Sequence, residues 1–135
     1  MSAEGVPPDV AELLRVHIES YEALEIALLL ARRADDAWRP NEVAKELGLA
    51  GDAAVTTLED LTTTGLVSRE GSGNDARFRV REASRPPLDR LQLAYRDHRV
   101  ELMGLMTAHA LDRVRTSALR AFAQAFLVRD RRDDR

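Results

Sequence analysis

The chain has 135 residues, of which 44% are hydrophobic and 32% are charged, and it contains no cysteine. This composition suits one globular domain, or a domain with an extension, and excludes collagen-like, mucin-like and disordered chains. The lack of cysteine excludes disulfide frameworks, thiolate zinc sites, iron–sulfur clusters and cysteine nucleophiles. No apolar run approaches the roughly 20 residues that a bilayer needs, and residues 1–4 lack the features of a secretory leader. We therefore expect a cytoplasmic protein without membrane contact.

Charge is distributed unevenly along the chain. The formal net charge of −3 does not by itself indicate a nucleic-acid partner. However, acidic residues outnumber basic ones in residues 1–65, whereas arginines outnumber acidic residues in residues 66–135. Because arginine suits bidentate contact with phosphate or carboxylate, the second half of the chain is better suited to an anionic partner.

The region before residue 40 is predicted to be helical, because no glycine or proline lies between Asp9 and Arg39. Ser20 is a suitable N-cap for the main helix of this region. The residues that follow form a broad apolar band, which predicts a largely buried helix: Leu24, Ile26, Ala27, Leu28, Leu29, Leu30 and Ala31.

Two short helices are predicted next, between Pro40 and Gly65. Proline is favourable at the first position of a helix, so the first of the pair begins at Pro40, and it ends at Gly48. The second helix carries apolar residues at helical spacing, namely Ala54, Leu58 and Leu61. Two helices joined by such a short turn form a helix-turn-helix.

A β-hairpin is predicted after Gly65. Residues 77–81 alternate strictly between arginine and an apolar residue, as expected of a half-buried strand. A glycine-rich segment at residues 71–75 separates this strand from the preceding one. Phe78 and Val80 are therefore expected to point inward and the arginines outward.

The segment after Pro87 is predicted to be helical, as one helix or two, with Gly104 as its soft point. Its first part carries an apolar stripe: Leu88, Leu91, Tyr95, Leu102, Leu105 and Met106. This stripe offers more apolar surface than a small core covers, so we predict that it forms a homodimer interface. The alternative is that it folds back on the helix of residues 24–30 within one chain. A second stripe follows at Leu111, Val114, Ala118, Phe122 and Phe126.

The helix-turn-helix and the Gly-Leu-Val junction after it carry a further pattern: Val43, Ala44, Leu47, Gly48, Leu49, Ala54, Leu58, Leu61, Gly65, Leu66 and Val67. With the hairpin and the long helical segment, it resembles the winged helix-turn-helix domain of bacterial MarR-like and ArsR-like transcription regulators over residues 20–80. The resemblance implies a mainly α fold with a small β-hairpin wing and a C-terminal helical extension. We accordingly divide the chain into a winged helix-turn-helix domain with an N-terminal helix (1–82) and a C-terminal helical dimerisation region (83–135).

In such domains the second helix of the pair lies in the DNA major groove, and the wing contacts the backbone or the minor groove. The resemblance assigns these residues to the groove: Gly51, Asp52, Ala53, Val55, Thr56, Glu59 and Asp60. None is one of the Arg, Lys, Asn or Gln that usually read bases, and carboxylates repel phosphates. We retain four candidate contacts on this helix and expect little DNA recognition from them: Asp52, Ala53, Thr56 and Thr57.

The predicted wing carries the main candidate DNA contacts, which are Arg69, Arg77, Arg79 and Arg81. Arginines two apart on one strand share a face, where they can grip phosphates in a largely sequence-independent way. The alternative is that their charge protects an exposed edge strand from aggregation.

Other chemical sites are not predicted. His98 and His109 lie about three helical turns apart, too far for one metal ion within a chain. No serine stands in a nucleophile turn, and residues 71–73 precede a strand, so they do not form a phosphate cradle. We expect no enzyme activity, metal or cofactor.

We therefore predict a DNA-binding transcription regulator that contacts DNA mainly through its arginine wing. A second hypothesis is a winged-helix module that does not bind DNA and docks another protein through its acidic helix or its arginine face. A third is a small-ligand sensor with an apolar pocket between Trp38, Tyr95 and the long helices.

Overall fold

The computed structural model describes the backbone of residues 5–133 and the side chains of residues 5–127. Residues 1–4, on which the expectation of no leader depends, and residues 134–135 lie outside the described residues. The helices are α1 (Pro8–His17), α2 (Tyr21–Arg32), α3 (Pro40–Leu47), α4 (Gly51–Thr64), α5 (Arg85–Asp97) and α6 (Arg99–Asp133). Strands β1 (Val67–Glu70) and β2 (Arg77–Val80) form an antiparallel hairpin.

The helix ends in the first half lie where the sequence predicts them. Ser20 caps α2, because its hydroxyl oxygen accepts a hydrogen bond from the Ala23 N–H at 3.1 Å. Pro40 is the first residue of α3. Gly48 and Gly65 follow α3 and α4 with φ angles of 68° and 94°, a left-handed conformation that glycine adopts without strain.

Helix α2 lies at the centre of the core. Apolar side chains from Ala23 to Ala31 are buried on nearly every side of it, as the sequence predicts. It packs against α3, α4, α5 and β2. Burying each leucine or isoleucine contributes roughly 1.5–3 kcal/mol, so this helix is a major source of stability.

The first apolar stripe of the C-terminal segment belongs to this same core. Leu88, Leu91 and Leu102 are at most 1% exposed, and the other three members, Tyr95, Leu105 and Met106, are half-buried against the core. Helix α5 packs on α1 and α2 within one chain, which is the alternative arrangement considered for this stripe. A partner chain would not contact its three buried leucines, so their assignment to a dimer interface is corrected.

The C-terminal segment forms two helices that meet at His98 instead of at Gly104. His98 has φ −138° and ψ 47°, which interrupts the helical backbone, whereas Gly104 lies inside α6. No helix in the described range is both long and apolar enough to cross a membrane.

The second apolar stripe of the C-terminal segment lies on an open face of α6. Its large side chains, together with Leu119, are between 55% and 67% exposed: Leu111, Val114, Leu119, Phe122 and Phe126. The rings of Phe122 and Phe126 pack on each other with centroids 5.5 Å apart. This part of α6 therefore presents an apolar surface that its own chain leaves uncovered.

We expect Gly65→Ala to lower the free energy of unfolding by about 1–2 kcal/mol, because alanine is strained in the left-handed conformation. A Cβ at Gly65 would meet nothing within 4 Å, so the cost is conformational alone. Gly51→Ala is the matched control, because Gly51 is equally open but begins α4 without a positive φ. We expect it to leave stability unchanged or to raise it by about 0.4–1 kcal/mol. Denaturant unfolding of the two variants checks this, and equal stabilities would contradict it.

Candidate nucleic-acid interface

The hairpin is attached to the body of the chain through Trp38. The Trp38 N–H donates to the Phe78 carbonyl, and the Phe78 N–H donates to the Trp38 carbonyl, both at 2.8 Å. This isolated bridge adds a short third segment of sheet beside β2. Since Trp38 and Phe78 are both buried, the base of the wing is held firmly against the core.

This bridge was not among the features predicted from the sequence. A signal was present at the step from Arg39 to Pro40, because a residue before proline favours extended backbone. Arg39 is indeed extended, with φ −81° and ψ 150°. The long-range pairing of Trp38 with Phe78 has no local signal, since their partnership depends on the folded core.

The pairing of the two strands shows on which face of the hairpin each predicted strand arginine lies. Arg77 lies opposite Glu70, and Arg79 lies opposite Ser68, so these residues share the outer face of the hairpin. Phe78 and Val80 are buried on the inner face, as the alternation predicts. The arginine at position 81 is exposed just beyond the end of β2.

The arginines at positions 77, 79 and 81 differ in how much of their charge is available. Arg79 Nε lies 3.3 Å from Glu70 Oε1, so this guanidinium is partly neutralised. Arg77 and Arg81 are exposed, and within residues 5–127 neither forms an ion pair. The wing therefore offers two open guanidinium groups and one partly satisfied one.

A cavity of about 390 Å³ lies between β2 and the loop after α2, and its lining is mixed in charge. Arg33, Arg77 and Arg79 line it together with Asp35, Asp36 and Glu42. The Arg33 guanidinium lies 5.7 Å from the centre of the Trp38 ring, a cation–π distance. This charged lining differs from the apolar pocket beside Trp38 and Tyr95 that a small-ligand sensor would need.

Arg69 does not join the other wing arginines. It lies opposite Phe78, which places it on the face of the hairpin that turns toward α4. There it lines a small cavity with Glu59, Thr62 and Thr63. Its charge is therefore directed toward the carboxylate-bearing helix.

The outward face of α4 is acidic. Asp52, Glu59 and Asp60 are exposed, as is Thr56, and the helix contains no lysine or arginine. The Asp52 carboxylate accepts a hydrogen bond from the Ala53 N–H at 2.9 Å, which suits a negative charge at the positive end of a helix dipole. Ala53 and Thr57, the other candidate contacts on this helix, are half-buried. This face would repel the phosphates that flank a major groove.

The histidines considered as metal ligands lie in separate places. His98 is the residue between α5 and α6, and His109 lies within α6. Among the described residues, no three His, Asp or Glu side chains are grouped so that they could hold a metal ion.

No protein-family model matches the chain, and no curated protein matches it in sequence. Solved structures do match it. S. aureus MepR in complex with DNA aligns with a TM-score of 0.51 and 15% identity, over 89% of this chain and 87% of its own. A doubly substituted ZitR from Lactococcus lactis aligns with a TM-score of 0.51 and 17% identity, over 79% of this chain and 75% of its own. A MarR-family transcriptional regulator from Rhodococcus sp. RHA1 aligns with a TM-score of 0.47 and 17% identity, over 90% and 83%.

At these identities, the likeness to MepR and ZitR shows the fold alone. The chain shares the winged-helix fold of these two proteins, and the predicted fold class is confirmed: mainly α, with a β-hairpin wing and a C-terminal helical extension.

His17 connects α1 to the end of α4. Its Nδ1 lies 2.7 Å from the Thr64 hydroxyl oxygen, beside a cavity of about 430 Å³ that Glu19 and Asp60 also line. Partial burial lowers the pKa of His17 below its ordinary value of 6.5, and the charge of Glu12 opposes this shift only in part. The neutral imidazole is therefore the form that suits the folded chain.

We expect His17 to make folding more stable above its ordinary pKa than below it. As the pH falls through 6.5, the unfolded chain takes up the proton first, so stability falls. Unfolding of wild type and His17→Gln between about pH 7.5 and 5 measures this linkage, and the variant should show a shallower decline. Identical pH dependence in the two proteins would contradict the assignment.

Proposed function

We propose that this chain is a homodimeric winged-helix protein that regulates transcription and contacts DNA mainly through Arg77, Arg79 and Arg81. The observation that carries the proposal is the exposed arginine face of a wing that Trp38 fixes to the core. The fold shared with MepR, whose structure was solved with DNA, supports the same use of this scaffold. Such a protein would act in the bacterial cytoplasm, where the DNA lies.

Contact through the wing would show little preference for DNA sequence. Guanidinium groups on phosphates position a protein on the duplex without reading bases. Helix α4 adds no cation, and its carboxylates at Asp52, Glu59 and Asp60 disfavour close approach to the groove. Arg69 beside Glu59 offsets part of that repulsion. The proposed complex therefore depends on electrostatic attraction between the DNA phosphates and the arginines of the wing.

A second copy of the chain is the partner that best fits the open face of α6. Leu111, Val114, Ala118 and Phe122 recur at intervals of three and four residues, which is the spacing of a helix-packing stripe. The large residues of this stripe are more than half exposed, and apolar patches of this kind mark association surfaces. We therefore propose that the C-terminal region, residues 83–135, forms the dimer through its second helix, α6. Pairing would present two wings at a fixed separation, which strengthens DNA contact by avidity.

The acidic face of α4 favours a second candidate function, which is docking of a basic protein segment. Asp52, Glu59 and Asp60 are exposed without a cation on their own helix, so they would complement lysine- or arginine-rich surfaces. This function would take the place of DNA contact through α4. It does not account for the exposed arginines of the wing.

We expect the wild-type chain to bind random duplex DNA with an affinity that falls steeply as salt rises. Arg77→Ala, Arg79→Ala and Arg81→Ala together should weaken binding and reduce the log–log salt slope by about 0.9 for each phosphate that is no longer neutralised. Fluorescence anisotropy of labelled DNA across a salt series measures both quantities.

The matched control removes the same charge elsewhere, by Arg32→Ala, Arg96→Ala and Arg99→Ala. These arginines are exposed and lie outside the wing, so this variant should keep most of the wild-type affinity. Equal losses of affinity in the two triple variants would contradict DNA contact through the wing. Binding of an arginine-rich peptide but not of DNA by the wild type would favour the second candidate function.

We expect Phe122→Asp to convert the dimer into a monomer, because a carboxylate on the apolar face of α6 would be desolvated in the interface. Light scattering measures the mass against the 15.1 kDa of one chain. Leu93→Asp is the control, because Leu93 is 49% exposed on α5 and lies off this face. A wild-type monomer, or a dimer that survives Phe122→Asp, would remove α6 as the interface.

A further inference from the structure

A cavity of about 460 Å³ lies between the end of α1 and the middle of α6. It belongs neither to the wing nor to α4. Every side chain that lines it is charged, or polar and able to form hydrogen bonds. Pockets for aromatic or aliphatic ligands are mostly apolar, so this lining selects for a small hydrophilic molecule.

Two arginines of the cavity are held in place by the chain itself. The Nη2 group of Arg113 donates a hydrogen bond to the Glu19 carbonyl at 3.0 Å, which fixes this guanidinium across the gap between α6 and the loop after α1. Arg15 forms an ion pair with Glu12, one turn earlier on α1. A guanidinium that is already positioned loses less conformational entropy when a ligand binds it.

A third arginine completes the donor set. Arg120 lies seven residues after Arg113 and therefore on the same face of α6. It is exposed, and the part of the chain with described side chains gives it no ion-pair partner. The hydroxyl groups of Thr116 and Ser117 lie between the two arginines along the helix and also line the cavity. They add neutral donors to the charged ones.

His109 also belongs to the cavity. Its Nδ1 is buried and has no hydrogen-bond partner among the described residues, although His109 lines the cavity. An imidazole nitrogen donates or accepts a hydrogen bond according to its tautomer, so His109 adds a further hydrogen-bonding group to the lining.

The carboxylates of the cavity do not cancel its positive charge. Asp112 lies 3.9 Å from Arg115, which is not a member of the lining. Glu19 is the other acidic member, and among the described side chains its carboxylate forms no ion pair. Arg15 is likewise paired with a residue outside the lining, Glu12, so Arg113 and Arg120 are the two guanidinium groups that face the carboxylate of Glu19.

We propose that this cavity binds a small, multiply charged oxyanion, a polycarboxylate or a phosphate, through Arg113, Arg120 and Arg15. Planar guanidinium groups bind both oxyanions in bidentate fashion, and the hydroxyl groups and His109 accommodate the remaining oxygens. The occupied cavity ties α1 to α6, the helix with the open apolar face. This binding does not depend on DNA contact, and its test contains no DNA.

Isothermal titration calorimetry of the full chain with citrate, and separately with inorganic phosphate, tests the proposal at constant ionic strength. We expect saturable binding of at least one anion with millimolar affinity or better, and a loss of about tenfold or more in Arg120→Gln. Arg120→Lys should lose less, because it keeps the charge but not the fork of donors. Arg32→Gln, at the exposed end of α2, is the control and should bind as the wild type does.

Arg113→Gln should lose binding as well. If Arg113→Gln fails to fold, Arg120→Gln still tests the proposal, because Arg120 is exposed. Benzoate, a singly charged aromatic carboxylate, should not bind measurably. Saturation by neither citrate nor phosphate, equal affinity in wild type and Arg120→Gln, or benzoate binding as tight as citrate binding would each overturn the proposal.

Discussion

The burial of α2 is the constraint on which the rest of the structure depends. Apolar side chains occupy nearly its whole circumference, so α3, α4, α5 and β2 must cover it on all sides. Covering it fixes which face of each neighbour turns inward. On α4 the inward face is Ala54, Leu58 and Leu61, which leaves the carboxylates to point outward. The acidic outer face of α4 is thus a consequence of packing as well as of composition.

The same constraint separates the two charged surfaces. Because Phe78 must reach the core, the arginines at alternate positions of β2 turn away from it, while Arg69 on the paired strand turns toward α4. Helix α4 and the wing therefore have opposite charge.

Much of this arrangement could be predicted from local sequence, because local chemistry determines it. Ser20, Pro40 and Gly65 set helix ends through their own backbone and side-chain preferences. The break at His98 could not be predicted in this way, since the residue carries no such preference. Nor could the burial of Leu102, because periodicity shows that a face is apolar and not which surface covers it.

The bridge between Trp38 and Phe78 gives the molecule an internal optical reporter. Trp38 is the one tryptophan of the sequence, and it is 8% exposed, with a guanidinium over its ring and the backbone of β2 paired to its own. Its indole emission depends on solvent and on nearby charge. Any event that loosens the hairpin from the core, or moves Arg33, therefore changes a single fluorescence signal that no other tryptophan obscures.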